Sequence, residues 1–203
     1  MESRPPPPLA GQGPVPIGVL GLQGDYERHL AALARLGAPA RKVRLPGDLP
    51  GLAGLIIPGG ESTTMVKLAK DYGLFEELRR AGREGLPMFG TCAGAILLGQ
   101  GDAAPERLAL VPVTLRRNAY GRQRESFEKV LRGPALGAEP LTCIFIRAPR
   151  VDAAPAEVEV LLRDGEDPIL LRWKSFLLST FHPELTQDLR VHRMFAEMCA
   201  ARR

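Results

Sequence analysis

Short apolar runs bounded by glycine recur through the first half of the chain, and helical patterns fill the gaps between them. Ile17-Gly18-Val19-Leu20-Gly21-Leu22 is apolar without alternation, the pattern of a strand buried on both faces. Asp25 then precedes a helical pattern with apolar positions at Leu30, Leu33, Ala34 and Leu36, stopped by Gly37. Val43 marks a second strand and Leu55-Ile56-Ile57 a third. Residues 63–72 and 74–84 read as helices separated by Gly73. Met88-Phe89-Gly90 predicts a fourth strand that runs straight into a helix over residues 93–98. This β-α-β alternation with short connections predicts a parallel sheet covered by helices on both sides.

The second half has a different rhythm. Residues 108–114, 143–146, 158–162, 169–171 and 176–180 are successive strand candidates, with a turn at Gly165-Glu166-Asp167-Pro168 and a closing helix over 188–199. The pattern predicts one α/β domain over residues 17–203, its mostly parallel sheet extended by antiparallel strands near one edge. Residues 1–16 carry six prolines and few large apolar groups, which predicts an extended, mobile tail. A proline-motif ligand is the alternative for this segment, carried by composition alone.

Composition changes this picture little. Of 203 residues 45% are apolar and 25% charged, the balance of a globular domain rather than a disordered, coiled-coil or fibrous chain. The uncharged stretch over residues 86–101 is broken by Pro87, Gly90, Gly94 and Gly99 and falls short of the roughly 20 apolar residues that span a bilayer. With no signal peptide legible, the expectation is a soluble cytoplasmic protein without membrane contact. The net charge of +4 could mark a nucleic-acid surface, but 5% aromatic residues are too few for base-stacking platforms. Arginines scattered over solvated faces account for the charge, and no nucleic-acid partner is expected. Cys92, Cys143 and Cys199 are an odd set without C-x-x-C spacing, which argues against a disulfide frame or a metal site.

The strongest chemical signal is Gly90-Thr91-Cys92-Ala93-Gly94, between a predicted strand and a predicted helix. It has the shape of the G-x-S-x-G nucleophile elbow with cysteine in place of serine. Glycines two residues before and after let strand and helix approach closely, and a helix N-terminus favours thiolate over thiol. A free cysteine is ordinarily a small buried hydrophobe; that reading holds for Cys143 and Cys199, while the elbow sets Cys92 apart. Of three histidines, His29 and His192 fall on predicted helices, where packed or solvated roles are the default. His182 follows a strand and precedes Pro183, which holds it extended and puts His182 and Glu184 on one side. Glu184 can then orient the imidazole while the other ring nitrogen faces the thiol. Pro58-Gly59-Gly60-Glu61-Ser62-Thr63, after the third strand, offers backbone N–H groups to an oxyanion alongside that of Ala93; an ordinary glycine-rich turn is the plainer reading. Neither a phosphate loop nor a dinucleotide fingerprint occurs, so no nucleotide cofactor is expected.

Together these pieces resemble the class I, triad-type glutamine amidotransferases, whose sheet is flavodoxin-like. Among them they are most similar to the glutaminase subunits of pyridoxal 5′-phosphate synthase. The resemblance runs from Ile17 to the end through Gly21-Leu22-Gln23-Gly24, the glycine pair, the cysteine elbow, Arg117-Asn118-Ala119-Tyr120-Gly121-Arg122-Gln123, Phe145-Ile146-Arg147-Ala148-Pro149 and Phe181-His182-Pro183-Glu184-Leu185. It implies that Cys92, His182 and Glu184 hydrolyse L-glutamine to glutamate and ammonia without a metal or cofactor. It also implies that Gly60, Glu61, Ser62, Arg117, Ile146 and Arg147 hold the substrate, with Gly60 and Ala93 forming the oxyanion hole. An arginine fork suits an α-carboxylate, although surface ion pairs would account for Arg117 and Arg147 equally well. Gln23 is implied at the interface with a synthase subunit that receives the ammonia for vitamin B6 biosynthesis.

Two departures stand out. The proline-rich tail lies outside the family pattern, and Arg172-Trp173-Lys174-Ser175 replaces the family's usual turn before the histidine. The competing readings are a cysteine peptidase or γ-glutamyl hydrolase on the same architecture, and a non-catalytic regulator that keeps the old site as a relic.

Overall fold

The computed structural model describes residues 15–101, 106–117 and 126–202. The proline-rich segment up to residue 14 and the motif residues 118–123 lie outside the described part. Seven strands form the central sheet: β1 (Ile17–Leu20), β2 (Ala40–Val43), β3 (Gly54–Ile57), β4 (Met88–Thr91), β9 (Glu159–Asp164), β10 (Asp167–Trp173) and β11 (Phe176–Ser179). Their order is β2-β1-β3-β4-β11-β10-β9. The five strands from β2 to β11 run parallel, and β10 and β9 add antiparallel at one edge. Two short antiparallel pairs lie outside it: β5 (Thr114–Arg116) with β8 (Arg150–Ala153), and β6 (Ser126–Leu131) with β7 (Leu141–Ile146).

Alternating side chains of the central strands feed two cores. Leu55, Ile57, Met88 and Leu178 point to one face, where α2 (Ser62–Asp71), α3 (Phe75–Arg83) and α4 (Ala93–Leu98) contribute Met65, Leu78 and Ile96. Val19, Ile56, Phe89 and Leu177 point to the other, met by Leu33 of α1 (Tyr26–Arg35) and by Val191 and Phe195 of α5 (Arg190–Ala201). Burial on both faces is what the unbroken apolar runs encode.

Three expectations in the second half change. Residues 108–113 are not a strand; Leu108, Val111 and Val113 are buried, but the backbone bonds back to the end of α4, with Leu108 N–H donating to Leu97 and Leu110 N–H to Leu98. Strands β6 and β8 were not expected. In β6 no residue is fully buried, and in β8 only Val151 is, so neither shows an apolar run. The substituted segment Arg172-Trp173-Lys174-Ser175 ends β10 and supplies the two-residue hairpin before β11, with Lys174 at φ 52°.

Candidate active site

Neighbouring parallel strands bring their carboxyl ends to one edge of the sheet, and the loops leaving them converge there. The loops after β3, β4 and β11 deliver Gly60, Glu61, Ser62, Cys92, Ala93 and His182 to a single cavity of about 270 Å³. Arg117, just past β5, and Ile146 and Arg147, at the end of β7, complete its wall. This is near the low end of the ~300–1,000 Å³ usual for small-molecule clefts. Asp25 and Ile96 also line it; neither belongs to a motif that announced it.

Cys92 is the single residue between β4 and α4, at φ 48° and ψ −105°. A side chain held there costs on the order of 1–3 kcal/mol, which the surrounding packing must enforce. The flanking glycines show how. A Cβ on Gly94 would run into the Ile57 carbonyl oxygen, and one on Gly90 would lie 2.5 Å from the Gly94 carbonyl carbon. The thiol is 3.7 Å from the Ile146 carbonyl oxygen, to which it can donate. Arg147, on the same cavity wall, is likewise at positive φ, 44°.

His182 packs with its ring over the Gly59 backbone, and the Cys92 Cβ approaches the same glycine. Its Nδ1–H donates to Glu184 Oε1 at 2.7 Å, and both side chains are buried. The pair forms by a route different from the one the sequence suggests. A 3₁₀ turn over Pro183–Leu185 follows His182, and this turn, rather than a continuous extended chain, carries Glu184 back beneath the ring. Burial pulls the His182 ring down, but Cys92 and Glu184 outweigh it and hold its pKa at about 10. Burial pushes Glu184 up, yet His29 and His182 keep it below the ordinary carboxylate range.

Glu61 caps α2, accepting from the N–H groups of Thr63 and Thr64 at 3.2 and 2.7 Å. Desolvation opposes its charge, and these donors more than compensate, bringing its pKa to about 2. Arg117 bonds to Glu61 Oε1 at 2.9 Å, so the expected carboxylate fork forms an ion pair within the cavity wall rather than elsewhere on the surface. Gln23, half-buried, accepts from the Glu61 N–H through Oε1 at 2.9 Å and lies against Gly60. Cys143 and Cys199 are buried core residues, and desolvation pushes the Cys143 thiol up to about 12. Among the described residues, no group of three or more His, Cys, Asp or Glu is placed to hold a metal ion, and no helix is long and apolar enough to cross a membrane.

A family model described as the SNO glutamine amidotransferase family matches residues 19–201. The chain belongs to this family. Among its relatives is a protein named pyridoxal 5′-phosphate synthase subunit PdxT from Thermotoga neapolitana, 50% identical over 90% of this chain and 98% of that one. The Thermus thermophilus protein of the same name is 51% identical over 90% of this chain and 96% of its own. A solved structure titled as a glutamine amidotransferase superposes with a TM-score of 0.84 at 48% identity, covering 91% of this chain and 98% of that one. A GMP synthase subunit from Thermoplasma acidophilum shares the fold at a TM-score of 0.67 and 18% identity, covering 95% of this chain and 97% of its own.

Proposed function

We propose that the protein is the glutaminase subunit of a pyridoxal 5′-phosphate synthase, hydrolysing L-glutamine and passing the ammonia to a synthase subunit. The observation that carries the reading is Cys92, strained on its turn, sharing one amino-acid-sized cavity with a His182 that is bonded at 2.7 Å to Glu184. The names of the relatives at about 50% identity support the choice of pathway.

Cys92 Sγ attacks the side-chain amide carbon of glutamine as the thiolate, its proton already held by the charged His182 ring. The charge that develops on the amide oxygen is met by the backbone N–H groups of Gly60 and Ala93. His182 returns the proton to the leaving nitrogen, ammonia departs, and a γ-glutamyl thioester remains on Cys92. Water, deprotonated by His182, cleaves the thioester and frees glutamate. Glu184 holds the imidazole in the orientation and tautomer that both halves need. Arg117 and Arg147 take the α-carboxylate, Glu61 faces the α-ammonium group, and Ser62 and Ile146 close the walls around the substrate. Gln23 links the partner-facing end of β1 to the Gly60-Glu61 turn, so docking of the synthase subunit is felt at the oxyanion donors.

The test is glutamate release from L-glutamine by the protein alone and with the synthase subunit, with Cys92→Ala as control. Release that rises with the partner and vanishes in the variant is expected. Folded protein that releases no glutamate in either condition would overturn the reading.

A further inference from the structure

Behind Glu184, on the side away from His182, two further imidazoles are sealed in the core. His29 of α1 and His192 of α5 have no exposed surface, and His29 Nδ1 lies 2.9 Å from His192 Nε2. The other nitrogen of His29, Nε2, lies 3.6 Å from Glu184 Oε2 and 3.4 Å from Thr91 Oγ1, on the residue before Cys92. Among the described residues Oε2 has no hydrogen-bond partner, and a buried carboxylate oxygen left without a donor is costly. Burial, with His182 adding to it, holds His29 below the ordinary imidazole range against Glu184 and Asp25, which favour its charge. Burial likewise brings His192 down to about 3, with His29 and Arg35 acting in the same direction and Glu184 against it.

The neighbours of the two neutral rings favour one pair of tautomers. A bare Nε2 lone pair on His29 would face the carboxylate, so His29 carries its proton on Nε2. Its Nδ1 then accepts from the Nε2–H of His192, and His192 Nδ1 is left as a bare acceptor. That nitrogen has no hydrogen-bond partner among the described residues, which costs less for a lone pair than for an N–H. We propose that His29 is a positioning residue of the hydrolytic site: its Nε2–H steadies the outer oxygen of Glu184, with His192 fixing the tautomer that makes this possible. The row His192–His29–Glu184–His182–Cys92 joins α5 and α1 to the nucleophile. The proposal rests on the glutaminase reading above.

Two measurements test it. The first is a ¹⁵N imidazole spectrum of the unmutated protein at neutral pH, expected to show His29 protonated on Nε2 and bare on Nδ1. The opposite tautomer overturns the proposal, whether or not the protein hydrolyses glutamine. The second is steady-state glutaminase kinetics with the synthase subunit. His29→Leu should lower kcat about ten- to hundred-fold, the loss expected when a buried charged acceptor is left with no N–H facing it, with KM unchanged. His29→Gln, which returns an N–H near the Nε2 position, should recover most of that loss. Equal kcat losses in the two variants, tracking their thermal midpoints, would reduce His29 to a packing residue. Wild-type kcat in folded His29→Leu would sink the idea as well. Wild-type protein inactive with its partner would count against the glutaminase reading and leave the spectrum to judge His29 alone.

Discussion

At Glu184 an amide isostere separates charge from shape. Glu184→Gln preserves the volume of a side chain whose Oε1 sits 2.7 Å from His182 Nδ1, but it removes the charge that favours the imidazolium and permits the wrong ring tautomer. Turnover should fall by at least about ten-fold and at most about 10⁴-fold, the loss such an exchange causes in a serine triad, while the thermal midpoint moves little. Wild-type turnover in this variant would demote Glu184 to a bystander. The residues nominated from motifs gathered well, because each motif encodes a local backbone geometry. The glycines around Cys92 and the Gly59-Gly60 pair are there because nearby atoms leave no room for a Cβ. Partnerships across the fold were not legible. Nothing in the spacing shows that Arg117 pairs with Glu61, or that His29, 155 positions before Glu184, stands behind its outer oxygen. Such contacts are fixed by which helix packs over which strand end.

Gly94 ties an element to the chemistry, since it lets α4 lie directly against the end of β3. Gly94→Ala forces its new methyl group into the Ile57 carbonyl oxygen, and backbone cannot swing aside as a side chain would. The expected cost is about 1–3 kcal/mol in urea unfolding, with glutaminase activity falling further than stability because α4 carries the Cys92 turn with it. An unchanged unfolding midpoint would show that strand and helix are less tightly opposed than this. The elements themselves were legible where burial is two-sided: β1, β3, β4 and β11 are all buried throughout, and each was found as an apolar run. The errors fall where apolar content and backbone pairing part company. Residues 108–113 are rich in leucine and valine yet serve as a buried strap under α4, with Ala109 at φ 52° and Pro112 interrupting any strand. Ser126–Leu131 carries Glu128 and Lys129 in its centre and is a strand because β7 pairs with it along its length, with Phe127 stacked on Phe145 at 4.6 Å.

Over the whole molecule, burying two neutral imidazoles couples stability to pH. His29 and His192 each bind a proton less readily in the folded chain than in the unfolded one, where an ordinary histidine titrates near 6.5. Below about pH 6.5 the unfolded state therefore holds more protons, and stability must fall as the pH falls. The slope is up to about 1.4 kcal/mol per pH unit for each imidazole, so about 2.7 kcal/mol per unit for both. His182, held up at about 10, acts with the opposite sign while the unfolded imidazole titrates near 6.5, and adds nothing to the slope once that imidazole is fully protonated at lower pH. Carboxylates such as Glu184 and Asp188, held below their usual range, lose their contribution only at more acid pH. Urea unfolding between pH 6.5 and 5 should thus show a steep loss at constant m-value, and His192→Gln should reduce the slope by about half. A flat profile in the unmutated protein would mean that the imidazole pair takes up protons in place. In that case the row behind Glu184 would be open to water, and the neutral tautomers assigned to it would be wrong.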